Sequence, residues 1–385
     1  MKVRNFFLMA LAASMALVSC DKSENDLAPA DTSTKSVTVK LANVQAPVKV
    51  RSTQLAVQDG TKAKLNTFTI FFVDANGNFY EGYEASDTKK ENDPVDRTFT
   101  VGDDGAIPTI PTYHYINAKV TKVIVVGNPT WTEGTEPTNE KALKDLMVEI
   151  EDQQNVDQLV LIGEDPLKTN TAEKEDVDGH TNAYIANVNL LPLVARLEVG
   201  AFFYDKVDDA TEREYASMLL NHLAINNYNG TCTYGKTASD LQNAPINEET
   251  AWPFLENLTA AWHNDNNMNI TLDANNTPEA YTYDVDVTGE GTTVFAYNVF
   301  AGTVPQLILS MTGTKADNTT APLYLATSGL GVTTFEAGHV YRMDIATGHN
   351  NPFKFDDGKF KSPDKCVDVD VEVIPWTVEW VTPEF

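Results

Sequence analysis

Cysteine, histidine and basic residues are all scarce in this chain. It carries three cysteines, six histidines and 28 lysines plus arginines among 385 residues. Three cysteines exclude a disulfide-dense scaffold. Cys232 and Cys366 could pair only if the fold brought them together. The six histidines show neither H-E-x-x-H nor any other metal-ligand spacing. There is no G-x-S-x-G elbow and no phosphate-cradling glycine loop. Carboxylates abound, so a pair such as Asp208-Asp209 ahead of a polar Thr211-Glu214 helix marks a favourable helix start rather than an acid and a base. These absences leave no catalytic constellation, no metal and no cofactor. Against 55 acidic residues the formal net charge is −27. That charge opposes nucleic acid and anionic membrane faces and suits an extracellular surface that must stay soluble.

Long apolar runs are also missing, save one short run at the N-terminus. Lys2 and Arg4 precede an apolar segment from Phe6 to Val18 that is too short to cross a bilayer. It ends in Leu17-Val18-Ser19-Cys20, which has the form of a bacterial lipobox, with Cys20 as the residue that takes the lipid. Residues 1–19 therefore read as a lipoprotein signal peptide and 20–35 as a polar tether.

What the chain has is alternation. Val367, Val369, Val371 and Val373 alternate with Asp368, Asp370 and Glu372. The parity then changes at Ile374-Pro375, and Trp376, Val378 and Trp380 take up the apolar face. Period-2 alternation marks a strand with one buried and one wet face. The same design stands near the N-terminus. Val37, Val39 and Leu41 alternate with Thr38 and Lys40, and after a shift at Ala42-Asn43 the pattern continues through Val44, Ala46, Val48 and Val50. Two distant segments look built for one kind of slot.

Between them, strands are expected at 65–73, 99–101, 114–117, 118–127, 158–162, 280–287, 293–299, 306–312, 322–327 and 339–345. Asn76-Gly77 marks a hairpin turn, since a calcium loop would need glycine two positions later. Asn229-Gly230 marks a second turn. A helix from 139 to 152, capped by Thr138, is expected from Leu143, Leu146, Met147 and Ile150. Residues 168–180 read as a solvated loop and 243–277 as irregular, with Trp252 and Trp262 able to stack on a glycan if exposed. Pro192 interrupts the strand-rich stretch 183–203. Short strands at steady spacing indicate an all-β fold of two tandem β-sandwich domains with a few short helices. The domains span 36–191 and 192–365, followed by a C-terminal strand at 366–385.

In this order the motifs resemble the fimbrillins of Bacteroidales, the subunits of type V pili. The resemblance rests on the lipobox, the two-part strand ending in Arg51, Lys122–Thr130 (KVIVVGNPT), Pro192–Gly200 (PLVARLEVG), Gly338–Ile345 (GHVYRMDI) and Val371–Trp380 (VEVIPWTVEW). It implies transthyretin-like sandwiches and an outer-membrane lipoprotein precursor. It implies that an arginine-specific surface protease cuts after Arg51 and removes the first strand (Val37, Val39, Leu41, Val44, Val48, Val50). A donor strand of another pilin subunit (Val367, Val369, Val371, Val373, Trp376, Val378, Trp380) then fills the groove. Only six arginines occur, and Arg97 is the competing cut site. The alternative within the same fold is a fimbrial anchor, tip adhesin or glycan-binding surface lipoprotein. A tip subunit would keep its C-terminus packed on its own second half.

Overall fold

The computed structural model describes residues 34–42, 44–45, 63–83, 95–102, 107–132, 134–171, 183–205, 214–246, 248–258, 262–272, 279–280, 295–343, 353–356, 367–368 and 372–375. Apart from two short α-helices and a 3-10 turn, its regular structure is strand.

Sheet membership changes at Pro192. Before it, Lys168–Thr169, Ala183–Asn189, Thr34–Ala42 and Tyr113–Asn117 form one sheet in that order. A second sheet runs Leu191–Pro192, Leu161–Pro166, Val120–Gly127, Thr67–Asp74 and Phe79–Tyr80, with Thr98–Thr100 also on Thr67–Asp74. The strand Thr67–Asp74 is buried on both faces from Phe68 onward, which suits a run from Phe68 to Val73 that is apolar apart from Thr69. At Gly163 the backbones of the two sheets come close. A Cβ there would lie 2.2 Å from the Asn189 carbonyl oxygen, so no side chain fits.

After Pro192, Val194–Val199 lies between Phe295–Phe300 and His339–Met343, with Glu372–Pro375 at the edge. A five-stranded sheet runs Asn264–Leu272, Ser217–Asn226, Gln306–Thr314, Thr320–Gly329 and Val367–Asp368. The helix Glu248–Asn257 adds a small satellite core to this sheet through Ala251 and Leu255 against Ala224, Ile308 and Ala326. Glu279–Ala280, Ala201–Asp205 and Phe353–Asp356 form a small third sheet after Pro192.

One sheet joins the halves: Met147–Glu149 pairs with Tyr228–Thr233, which pairs with Ala238–Gln242. Side chains reinforce the joint. Asn298 donates to the Gln153 carbonyl at 2.6 Å, and Gln154 donates to the Asn298 carbonyl at 2.9 Å. One contiguous apolar core contains residues from both halves.

Most expected strands are present within a residue or two. The one expected at 158–162 runs instead from Leu161 to Pro166, and residues 281–287 of another lie outside the described residues. Asn76-Gly77 closes the Thr67–Asp74/Phe79–Tyr80 hairpin. Four expectations change. The helix is only Glu140–Asp145, and its cap is Asn139, whose side chain accepts from the Ala142 N–H, not Thr138. The chain leaves the helix at Leu146 because Val148 is needed as a buried strand residue opposite Cys232. Met147 consequently points outward, 63 % exposed. Gly230 lies within a strand rather than a turn. A Cβ there would meet the Asp240 carboxylate at 2.7 Å, so the glycine serves close cross-strand approach. The hairpin itself turns at Gly235-Lys236, with Lys236 at a φ of 65°. The stretch 243–277 is not irregular: it holds the helix Glu248–Asn257 and the strand Asn264–Leu272. Lys168–Thr169 is a strand that opens the expected loop.

Candidate assembly site

The first strand occupies the middle of its sheet. Residues Ser36 to Ala42 run parallel to Ala183–Asn189, in register from Ser36 opposite Ala183 to Ala42 opposite Asn189. On its other side the strand runs antiparallel to Tyr113–Asn117, with a register shift between Lys35 and Val37. Val37 and Val39 are buried, Leu41 is half-buried and Lys40 is exposed, as the alternation requires. The polar face is held as well. Ser36 Oγ lies 2.8 Å from His114 Nδ1, and Thr38 Oγ1 lies 3.1 Å from Thr112 Oγ1. Lys35 donates to the Val120 carbonyl at 2.6 Å and sits over the Tyr184 ring. Partial burial pushes the Lys35 ammonium below the usual lysine range.

The shift at Ala42-Asn43 is a change of partner. Val44–Gln45 is a separate strand, parallel to Ala63–Lys64, and Val44 is buried. Val48, Val50 and Arg51 lie outside the described residues, as does Cys20. The slot is lined by Tyr113, Ile116, Ala186 and Val188, all fully buried. Sequence reasoning placed strands at two of these segments but did not connect them to Val37 and Val39. Their separation along the chain carries no pairing signal.

The C-terminal segment lies against its own chain. Val367–Asp368 runs parallel to the end of Thr320–Gly329, with Val367 opposite Thr327. Glu372–Pro375 runs antiparallel to His339–Met343, from Glu372 opposite Arg342 to Pro375 opposite His339. The segment thus touches two different sheets. Ile374 and Pro375, expected to form the bend, both lie within the paired strand. Val369, Val371, Trp376, Val378 and Trp380 lie outside the described residues.

Arg97, the competitor of Arg51, is immobilised. Its guanidinium donates to the Tyr80 carbonyl at 3.1 Å and pairs with Glu81 at 3.0 Å, and its own carbonyl accepts from the Ile70 N–H. Arg196 and Arg342 are buried on either side of Glu198, at 2.7 Å and 2.6 Å. A protease must draw an extended segment into its cleft, which none of these three arginines offers.

Cys232 is a buried thiol whose pKa is pushed up to about 11 by burial, which disfavours the thiolate a nucleophile needs. Cys366 lies outside the described residues. Trp262 is half-buried and packs edge-on against Tyr228 and His263, which leaves it poorly placed for stacking. The Trp252 side chain is not among those described.

No family model and no curated protein sequence matches this chain. Solved structures do. A candidate cell adhesion protein of Bacteroides eggerthii is 15% identical with a TM-score of 0.46, over 89% of this chain and 96% of its own. Another from Parabacteroides distasonis is 12% identical with a TM-score of 0.46, over 90% and 97%. A fimbrilin of Porphyromonas gingivalis is 12% identical with a TM-score of 0.42, over 89% and 98%. The structural neighbours of this chain are Bacteroidales adhesion and fimbrial proteins.

Proposed function

We propose that this chain is a structural subunit of a surface pilus, with no enzymatic role. It is exported as a lipoprotein precursor through Cys20, cut after Arg51 and polymerised by insertion of residues 366–385 into the next subunit. The observation that carries this reading is the placement of Thr34–Ala42 in the interior of a sheet, paired on both sides. A strand close to the N-terminus that lies mid-sheet can leave by one cut behind it. Its departure strips ladder partners from both Ala183–Asn189 and Tyr113–Asn117. Two unpaired edges facing each other form a sticky slot for one extended segment.

The energies favour exchange. Loss of the first strand uncovers Val37, Val39 and Val44, at about 1.5–3 kcal/mol each. The proposed donor offers five valines and two tryptophans against the five valines and one leucine of the segment it replaces, the larger apolar set by the same measure. Association and ordering consume part of the surplus. Head-to-tail insertion does not close on itself, so it propagates into a filament.

The test is limited digestion of the precursor lacking Cys20 with an arginine-specific protease, followed by intact mass and electron microscopy. A single cut after Arg51 and growth of filaments is the expected result. A chain that stays whole, or is cut yet remains monomeric, overturns it.

One observation favours the second reading, an anchor or tip subunit of the same fold. Val367–Asp368 and Glu372–Pro375 are laddered onto their own chain, as a subunit that donates no strand would have them. A stalk subunit must first release those ladders. Hydrogen exchange across 366–375 separates the readings: protection that persists after cutting assigns a tip or anchor, and protection that is lost and regained on polymerisation assigns a stalk.

A further inference from the structure

A groove of about 840 Å³ opens on the Thr67–Asp74 and Thr98–Thr100 strands, on the face that carries Phe71 rather than the face where Phe72 packs on Tyr113 of the first-strand slot. We infer that it binds an uncharged oligosaccharide. The inference does not rest on the assembly reading and concerns a different face of the molecule.

The floor is a grid of hydroxyls. Thr67 is opposite Thr100 and Thr69 is opposite Thr98, and all four line the groove, with Thr98 and Thr100 exposed, Thr67 half-buried and Thr69 almost covered. Alternate residues of a strand lie about 6.6 Å apart and adjacent strands about 4.8 Å, so the grid has the dimensions of one or two sugar rings. A threonine hydroxyl both donates and accepts, which is what a sugar hydroxyl requires of a partner. The Thr69 and Thr98 hydroxyls already bond each other at 3.0 Å, which fixes their positions.

The walls are aromatic and rigid. Trp131 is half-buried and clamped between Phe71, edge-on at 6.1 Å, and Tyr234 at 5.6 Å. Phe79 and Pro137 also line the groove. A ring held this way offers a fixed surface to the C–H face of a sugar at little entropic cost.

The charges select among ligands. Glu81, Asp96 and Glu136 face a single guanidinium, Arg97, which is already paired with Glu81. An acidic saccharide or phosphate would meet net repulsion, whereas carboxylates accept readily from neutral hydroxyls. A volume of this size with mixed aromatic and polar lining is typical of small-ligand sites. The same carboxylates would draw a lysine-rich peptide, so that class is the competitor to exclude.

The experiment uses the full, uncut chain without its lipid, so that assembly plays no part. Mannotriose, chitotriose and lacto-N-tetraose are titrated by calorimetry, with 3′-sialyllactose and tetralysine as charged controls. At least one neutral oligosaccharide is expected to bind saturably and more tightly than either control. Trp131→Ala should weaken it by about tenfold or more. Because Trp131 also packs on Phe71 and Tyr234, a second variant is needed. Thr100→Val changes one exposed strand residue to a good strand former. It should keep the melting curve and lose about fivefold or more in affinity. The proposal is overturned if no neutral oligosaccharide binds, if a charged control binds more tightly, or if neither variant weakens binding.

Discussion

Asp74 shows how one side chain ties a hairpin together. Its carboxylate accepts from the Asn78 side chain and backbone, from the Asn76 N–H and from the Tyr80 hydroxyl. These donors, Asn78 foremost, hold its pKa down to about 2 from 3.8. The folded hairpin therefore prefers the charged form more than the unfolded chain does. Its contribution is complete above the unfolded value and is lost as pH falls from about 4 through about 2. Urea unfolding between pH 5 and pH 2 should show Asp74→Asn with a flatter pH dependence than the parent, and parallel curves would refute the assignment. Glu198 is a second buried carboxylate, held between two buried guanidiniums. Glu198→Gln leaves positive charge without its counter-ion in the core and should cost about 3–5 kcal/mol, readable in the same unfolding assay.

At the level of elements, the first strand separates precursor stability from filament stability. Val39→Asp puts an unpaired charge where 4 % of the side chain is exposed, and should destabilise the precursor by about 3 kcal/mol or more. Under the proposed function the strand is absent from the mature filament, so filaments grown from that variant should melt like the parent. A parallel loss in the filament would mean the strand stays. The same element shows what was legible beforehand. Val37, Val39 and Leu41 announce a half-buried strand because period 2 is a local property. Its parallel partner, more than a hundred residues away at Ala183–Asn189, is set by tertiary packing and left no local trace. The short helix failed for a related reason. Leu143, Leu146, Met147 and Ile150 fit a helical stripe, but pairing of Met147–Glu149 with a distant strand overrides that spacing after one and a half turns. The hydroxyl grid of Thr67, Thr69, Thr98 and Thr100 was hidden likewise, because each pair is distant in sequence and only the register aligns it.

For the whole molecule, the joint between the halves decides how force and heat are shared. Met147–Glu149 completes a sheet whose other strands come from beyond Pro192, and Trp131 packs on Tyr234 across the same boundary. Asn298 carries the polar part of that joint. It donates to the Gln153 carbonyl, while its backbone exchanges two hydrogen bonds with the Gln154 side chain. Buried polar groups so matched keep two packed bodies in one arrangement, since any slip would leave several unsatisfied together. The uncut chain should therefore unfold in one calorimetric transition, with van't Hoff and calorimetric enthalpies in agreement. Asn298→Ala removes the bond to the buried Gln153 carbonyl across the joint, and also the weaker bond its Oδ1 accepts from Arg196 at 3.3 Å, at about 1–3 kcal/mol. If the joint couples the halves, that loss should lower the van't Hoff enthalpy relative to the calorimetric one, as the two halves begin to melt apart. A variant that melts at a lower temperature but with the ratio unchanged would place the coupling in the shared apolar core and its sheet instead, where Val148 lies opposite Cys232 and the Ile150 N–H donates to the Gly230 carbonyl.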